Sequence, residues 1–141
     1  MKKVLIIVLA LMGAYYAYEQ NSGMHQPVAS GVDTSFAQAP ETWRSGQQVQ
    51  GQGTVSRILS DDNEGSRHQR FILRLASGRT LLIAHNIDLA PRISSLRTGD
   101  TVSFYGEYEW NDRGGVIHWT HHDPQGRHAS GWLEHNGQRY Q

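Results

Sequence analysis

Arg67-His68-Gln69-Arg70-Phe71-Ile72-Leu73-Arg74-Leu75 runs through Ala76-Ser77-Gly78 into Arg79-Thr80-Leu81-Leu82-Ile83-Ala84. Successive strand side chains point to opposite faces, so Phe71, Leu73 and Leu75 share one face and His68, Arg70, Ile72 and Arg74 share the other. Ser77-Gly78 supplies turn chemistry between two apolar runs. The segment therefore reads as a β-hairpin with one face for a core, and the chain as mainly β.

The neighbouring segments extend that reading. Val49 to Ser60 is a strand interrupted by Gly51 and Gly53, which predict a bend or bulge. Asp61-Asp62-Asn63-Glu64-Gly65 is a turn. His85 to Thr98 carries Pro91 and a scatter of Ile87, Leu89, Ile93 and Leu96, enough for a short helix or a loop. Gly99-Asp100 turns into a strand with Val102, Phe104, Gly106, Tyr108 and Trp110 on one side, which places Trp110 in the core. Asn111 to Gly115 is a turn, and Gly115 to Thr120 a fifth strand. Asn136-Gly137, centred in Trp132 to Tyr140, is a strong hairpin signal. Five strands with a bent first strand and an insert between the third and fourth predict a small OB-like β-barrel with a C-terminal hairpin, over residues 46–141. An SH3-like barrel or another small β-roll is the alternative.

Residues 1–20 read as a signal-anchor. Lys2-Lys3 precede an apolar run from Val4 to Tyr18, with Tyr15, Tyr16 and Tyr18 placed for the outer membrane interface. Ala37-Gln38-Ala39 lies too far from that run to be its cleavage site, which favours an uncleaved hydrophobic helix over a removed signal. The expected location is the inner membrane, single pass, with the C-terminal domain in the periplasm, or secreted to the periplasm if the signal is cleaved. Residues 21–45 are rich in Gln, Ser, Gly, Ala and Pro and read as a flexible linker, with Trp43 able to dock on the domain.

Of the 141 residues, 13 are Lys or Arg and 13 are Asp or Glu, so the chain has no net charge and double-stranded DNA binding is not expected. Eleven of the 13 basic residues are arginine, the side chain suited to bidentate contacts and stacking. The chain has no cysteine, so a metal could be held by His, Asp and Glu alone.

Histidine concentrates the chemistry. Of the 8 copies, five fall at His118, His121, His122, His128 and His135. His118, His121, His122, Asp123 and His128 are the candidate ligands for a divalent metal such as zinc. An extended strand separates His118 from His122 by about 13 Å and points His121 the opposite way, so convergence requires a turn beginning after Thr120. Hydrogen-bonded structural histidines are the competing reading. A second constellation, Asp61, Asp62 and Glu64 with Arg67, His68 and Arg70, has the residue types of a metal-dependent phosphodiester hydrolase. A third is a ligand-binding face of His68, Arg70, His85, Trp110, His118 and Trp119, suited to a glycan, a peptide or a single-stranded nucleic acid.

Three long segments resemble an exported bacterial family known as a domain of unknown function. They are Asp61 to Phe71, Ile83 to Arg92, and Gly106-Glu107-Tyr108-Glu109-Trp110 running on through His118-Trp119-Thr120-His121-His122-Asp123-Pro124. The resemblance covers about residues 48–141. It implies an OB-like barrel in a small anchored or secreted protein, and it carries no activity. The expected function is a membrane-tethered binding module of the cell envelope. A metal-dependent hydrolase and a structural accessory subunit of an envelope complex are the alternatives.

Overall fold

The structure, a computed structural model, describes residues 42–141. The expected anchor and linker residues 21–41 lie outside the described residues. Seven strands follow in chain order: β1 (Gln48–Ile58), β2 (His68–Arg74), β3 (Thr80–Asn86), β4 (Thr101–Glu109), β5 (Val116–His118), β6 (Trp132–His135) and β7 (Gln138–Tyr140). They hydrogen-bond in the order β1-β2-β3-β5-β4, and β4 returns to β1, so five strands close a small barrel. β3 and β5 pair in parallel, through Leu82 with Val116 and Ile83 with Ile117, and the other ladders are antiparallel. β6 and β7 extend the free part of the β4 edge as a hairpin.

Closure depends on the bend in β1. Residues Gln48–Thr54 pair with β4, residues Thr54–Ile58 pair with β2, and Thr54 belongs to both ladders. The register slips between Val55 and Arg57, a bulge that begins two residues beyond Gly53. Gly51 and Gly53 serve the bend differently, by admitting close neighbours. A Cβ at Gly51 would sit 2.8 Å from the Phe104 ring, and one at Gly53 2.8 Å from the Arg74 carbonyl.

The inward faces form one core. Phe71, Leu73, Leu81, Ile83, Val102, Phe104, Tyr108, Ile117 and Leu133 are fully buried there. Trp43 joins them, its ring edge-on to Phe104 at 6.1 Å and to Tyr108 at 5.6 Å, so core packing reaches into the segment expected as linker. The opposite face of the hairpin is not wholly polar: Ile72, Leu82, Ala84 and Val116 make a second buried cluster against Leu59. The expected core position of Trp110 is corrected. β4 ends at Glu109, so the alternation stops before the indole, which stays 62% exposed.

The insert between β3 and β4 is a loop with turns, without a helix. Ile93 and Leu96 reach down from it into the core. Gln69 latches it: the buried carboxamide donates to the Ile93 carbonyl and accepts from the Ile93 amide, both at 2.9 Å. Asn136 and Gly137 take left-handed backbone, φ 51° and 76°, as the expected β6–β7 turn requires.

Candidate functional site

β4 carries the first half of the site. Its alternation sends Val102, Phe104 and Tyr108 into the core and leaves Tyr105, Glu107 and Glu109 half-buried on the outer face. β5 does the same in three residues: Ile117 points inward, Val116 and His118 outward. The register sets His118 opposite Glu107 and Val116 opposite Glu109. His118 is thus the direct cross-strand neighbour of one carboxylate and the diagonal neighbour of the other. Gly106 makes the approach possible, because a Cβ there would lie 2.5 Å from the His118 carbonyl oxygen.

β5 stops at His118 because Trp119 adopts φ 56°, a left-handed conformation that is uncommon for a bulky residue. The chain then folds back over the outer face of β4. Asp123 organises this loop by accepting hydrogen bonds from the amides of Gln125, Arg127 and His128 at 2.8–2.9 Å. Those amides hold its carboxyl below the usual range, Gln125 foremost. Gly131 closes the loop against backbone, with a hypothetical Cβ only 2.0 Å from the Trp119 carbonyl oxygen. The result lays the His128 ring flat on the Trp119 indole, centroids 3.9 Å apart and planes 8° from parallel.

The Glu107 carboxylate is consequently bracketed by two imidazoles. Its Oε2 lies 3.0 Å from His118 Nε2 and its Oε1 3.2 Å from His128 Nε2. Glu109 Oε1 stands 3.8 Å from the same His118 nitrogen. The ring of His118 first, and that of His128 after it, holds the Glu107 carboxyl below the usual carboxylate range, against a desolvation that opposes this. Ligand atoms of Glu107, Glu109 and His118 all fall within 4.8 Å of one another. These side chains retain 14–31% of their exposure, so the crevice opens to solvent.

The metal set expected from the sequence separates. His118 and His128 meet at Glu107, whereas the other three members serve the loop. His121 is buried with Nδ1 2.7 Å from the His122 carbonyl, His122 is exposed with Nδ1 3.1 Å from Ser130 Oγ, and Asp123 accepts amides. The turn after Thr120 does form, but it uses these groups for contacts within the loop itself.

The expected ligand face also divides. His85 is fully buried, its Nδ1 2.7 Å from Thr120 Oγ1 and its Nε2 2.9 Å from the Pro91 carbonyl, so it clamps β3 to the insert and to the end of β5. Burial pushes its pKa down to about 4. His68 is buried with Nδ1 2.8 Å from the Ser66 carbonyl, and desolvation lowers its pKa too. Arg70 donates to the Ser60 carbonyl at 2.9 Å. Trp110 stands exposed at the end of β4 with its amide bonded to Ser45 Oγ, and Trp119 stacks on His128. Two acids of the β1–β2 loop have protein partners. Asp61 pairs with Arg92, and Asp62 accepts the Glu64 amide.

Glu107 and Glu109 are absent from the sequence-based candidates. The available signal is their i, i+2 spacing on the polar side of a strand whose other side is apolar. It becomes a site only once β5 is set opposite, and that register comes from the closed barrel.

Comparison with curated proteins and with solved structures finds no match. Residues 20–141 match a family described as a protein of unknown function, DUF3465. With that match over most of its length, and with the small closed β-barrel the resemblance implies, the chain belongs to the DUF3465 family.

Proposed function

We propose that this protein is a binding module of the cell envelope: an OB-like barrel held at the membrane by residues 1–20, taking its ligand in the crevice between β4 and β5. The observation that carries this reading is the cluster of Glu107, Glu109 and His118, whose ligand atoms lie within 4.8 Å of one another, with His128 on the other oxygen of Glu107. Three of the four stand on paired strands, and the fourth is fixed by stacking on Trp119. Groups so positioned lose little conformational freedom on binding, which favours recognition. The strand order and the bent first strand support the OB-like description, and the Lys2-Lys3 run with its apolar segment supports the anchor.

Two measurements test this function. The full chain, in detergent, is titrated with a panel of divalent cations, chito-oligosaccharide, a mixed peptide library and oligo-dT while thermal unfolding is followed. A ligand that raises Tm for the wild type and not for Glu107→Gln is expected, and a panel in which every shift survives that substitution contradicts the site. Protease added to intact spheroplasts should degrade the barrel domain while the N-terminus stays with the membrane. A domain protected until lysis contradicts the location.

A further inference from the structure

Taking the β4–β5 crevice as the binding site, we infer that its ligand is a divalent transition-metal cation of the zinc class, held by Glu107, Glu109, His118 and His128. Four observations carry this.

The first is spacing. Donors placed about 2.0–2.2 Å from a tetrahedral zinc stand about 3.4 Å from one another. The contacts of 3.0 and 3.8 Å from His118 Nε2 to Glu107 and Glu109 straddle that value, and His128 Nε2 stands 3.2 Å from the other oxygen of Glu107.

The second is an orphaned nitrogen. His118 Nε2 is buried and makes no hydrogen bond, although Glu107 Oε2 lies 3.0 Å away. Proximity without hydrogen-bond alignment is what two donors aimed at a common third point look like. An unsatisfied buried polar group is costly, and a cation between nitrogen and carboxylate would remove that cost. The contrast with His85 is direct, since both of its ring nitrogens are satisfied by protein groups.

The third is the orientation of His128. Its Nδ1 lies 2.9 Å from the Ala129 carbonyl, which holds the ring with Nε2 turned toward Glu107 Oε1 at 3.2 Å. Metal-bound imidazoles characteristically give their other N–H to a backbone carbonyl in this way.

The fourth is the donor chemistry. Two imidazoles with two carboxylates and no thiolate suit zinc, and also nickel or copper, whereas calcium and magnesium prefer oxygen throughout. Supporting contacts are in place: Asp123 fixes the loop that brings His128, and Trp119 stacks on its ring.

The test uses the full chain, freed of any affinity tag, stripped with chelator and held in detergent. Zinc affinity is measured by competition with a chromophoric chelator, and geometry by the visible spectrum of the cobalt(II)-substituted protein. We expect one ion per chain and the intense visible absorption of four-coordinate cobalt. Glu107→Gln and His118→Ala should each weaken zinc on the order of 100-fold, and His128→Ala on the order of tenfold. Glu64→Gln, at an exposed carboxylate of the β1–β2 loop, should change nothing, and Glu109→Gln provides a conservative variant where a larger change perturbs folding. Zinc affinity that survives Glu107→Gln and His118→Ala overturns the assignment. So does a wild-type chain that takes up no zinc. If zinc fails while another member of the ligand panel still depends on Glu107, the metal assignment falls and the binding-module reading stands. If nothing depends on Glu107, both fall.

Discussion

At the scale of single residues, His85 and His118 differ in what their ring nitrogens meet. His85 has protein partners on both sides and no exposure, and its pKa is pushed down to about 4 by burial. Between an ordinary value of 6.5 and about 4, the unfolded chain takes up a proton that the folded chain refuses. This contribution is therefore complete above about pH 6.5 and lost as pH falls toward 4, a change of about 3 kcal/mol at 1.36 kcal/mol per unit. His68 and His121 shift in the same direction for the same reason. Denaturant titrations from pH 7 to pH 4 should show stability falling across that window, and His85→Gln should flatten the fall while lowering stability at pH 7. A wild-type profile flat from pH 7 to pH 4 contradicts it. Residue identity alone does not separate His85 from His118, since both are outnumbered by apolar neighbours in sequence. What separates them is whether the strand position faces the insert or the crevice.

At the scale of elements, β5 and the loop after it build the site, and each depends on one or two residues. Gly106 lets β5 lie close to β4, and a methyl group there meets the His118 carbonyl at 2.5 Å and Ile117 Cγ2 at 2.8 Å. Gly106→Ala should cost about 1–3 kcal/mol in a denaturant titration and displace His118 from Glu107. Asp123 holds three amides of the loop, so Asp123→Ala should leave far-UV circular dichroism unchanged yet weaken zinc about tenfold by releasing His128. An unaltered zinc affinity would show that the loop positions His128 without it. The strands themselves are legible from alternation: Phe71, Leu73 and Leu75 do face the core, and Asn136-Gly137 does turn the hairpin. The insert lacks the expected helix option because Gln69 and His85 bind its carbonyls at Ile93 and Pro91, which holds it as a loop. Trp110 escapes the core because the β4 ladder ends one residue earlier. The pairing of Glu107 with His118 is not legible, since cross-strand register depends on the parallel β3–β5 contact and on the β1 bulge.

At the scale of the whole molecule, one core closed by a bent strand carries a crevice on its outside. The interior is filled by aromatic and aliphatic side chains from every barrel strand, and Trp43 seals it from the segment before β1. Trp43→Ala in the full chain should lower stability by about 3–5 kcal/mol, read by denaturant titration. A loss below 1 kcal/mol would place Trp43 outside the cooperative unit. Because Phe104 and Tyr108, the rings it touches, alternate along β4 with Tyr105, Glu107 and Glu109, the packing inside the barrel fixes the spacing of the carboxylates outside it. Recognition at Glu107, Glu109, His118 and His128 therefore rests on the same strand pairing that closes the fold. The direct reading of that site is the protonation state of its two rings, by two-bond ¹H–¹⁵N correlation of the histidine side chains in the full chain with and without zinc. One equivalent of zinc should shift His118 Nε2 and His128 Nε2 together and leave both nitrogens of His85 unmoved. Rings at 118 and 128 that keep a proton on Nε2 whether or not zinc is added would contradict the metal site and leave Glu107 as the carboxylate partner of two structural histidines.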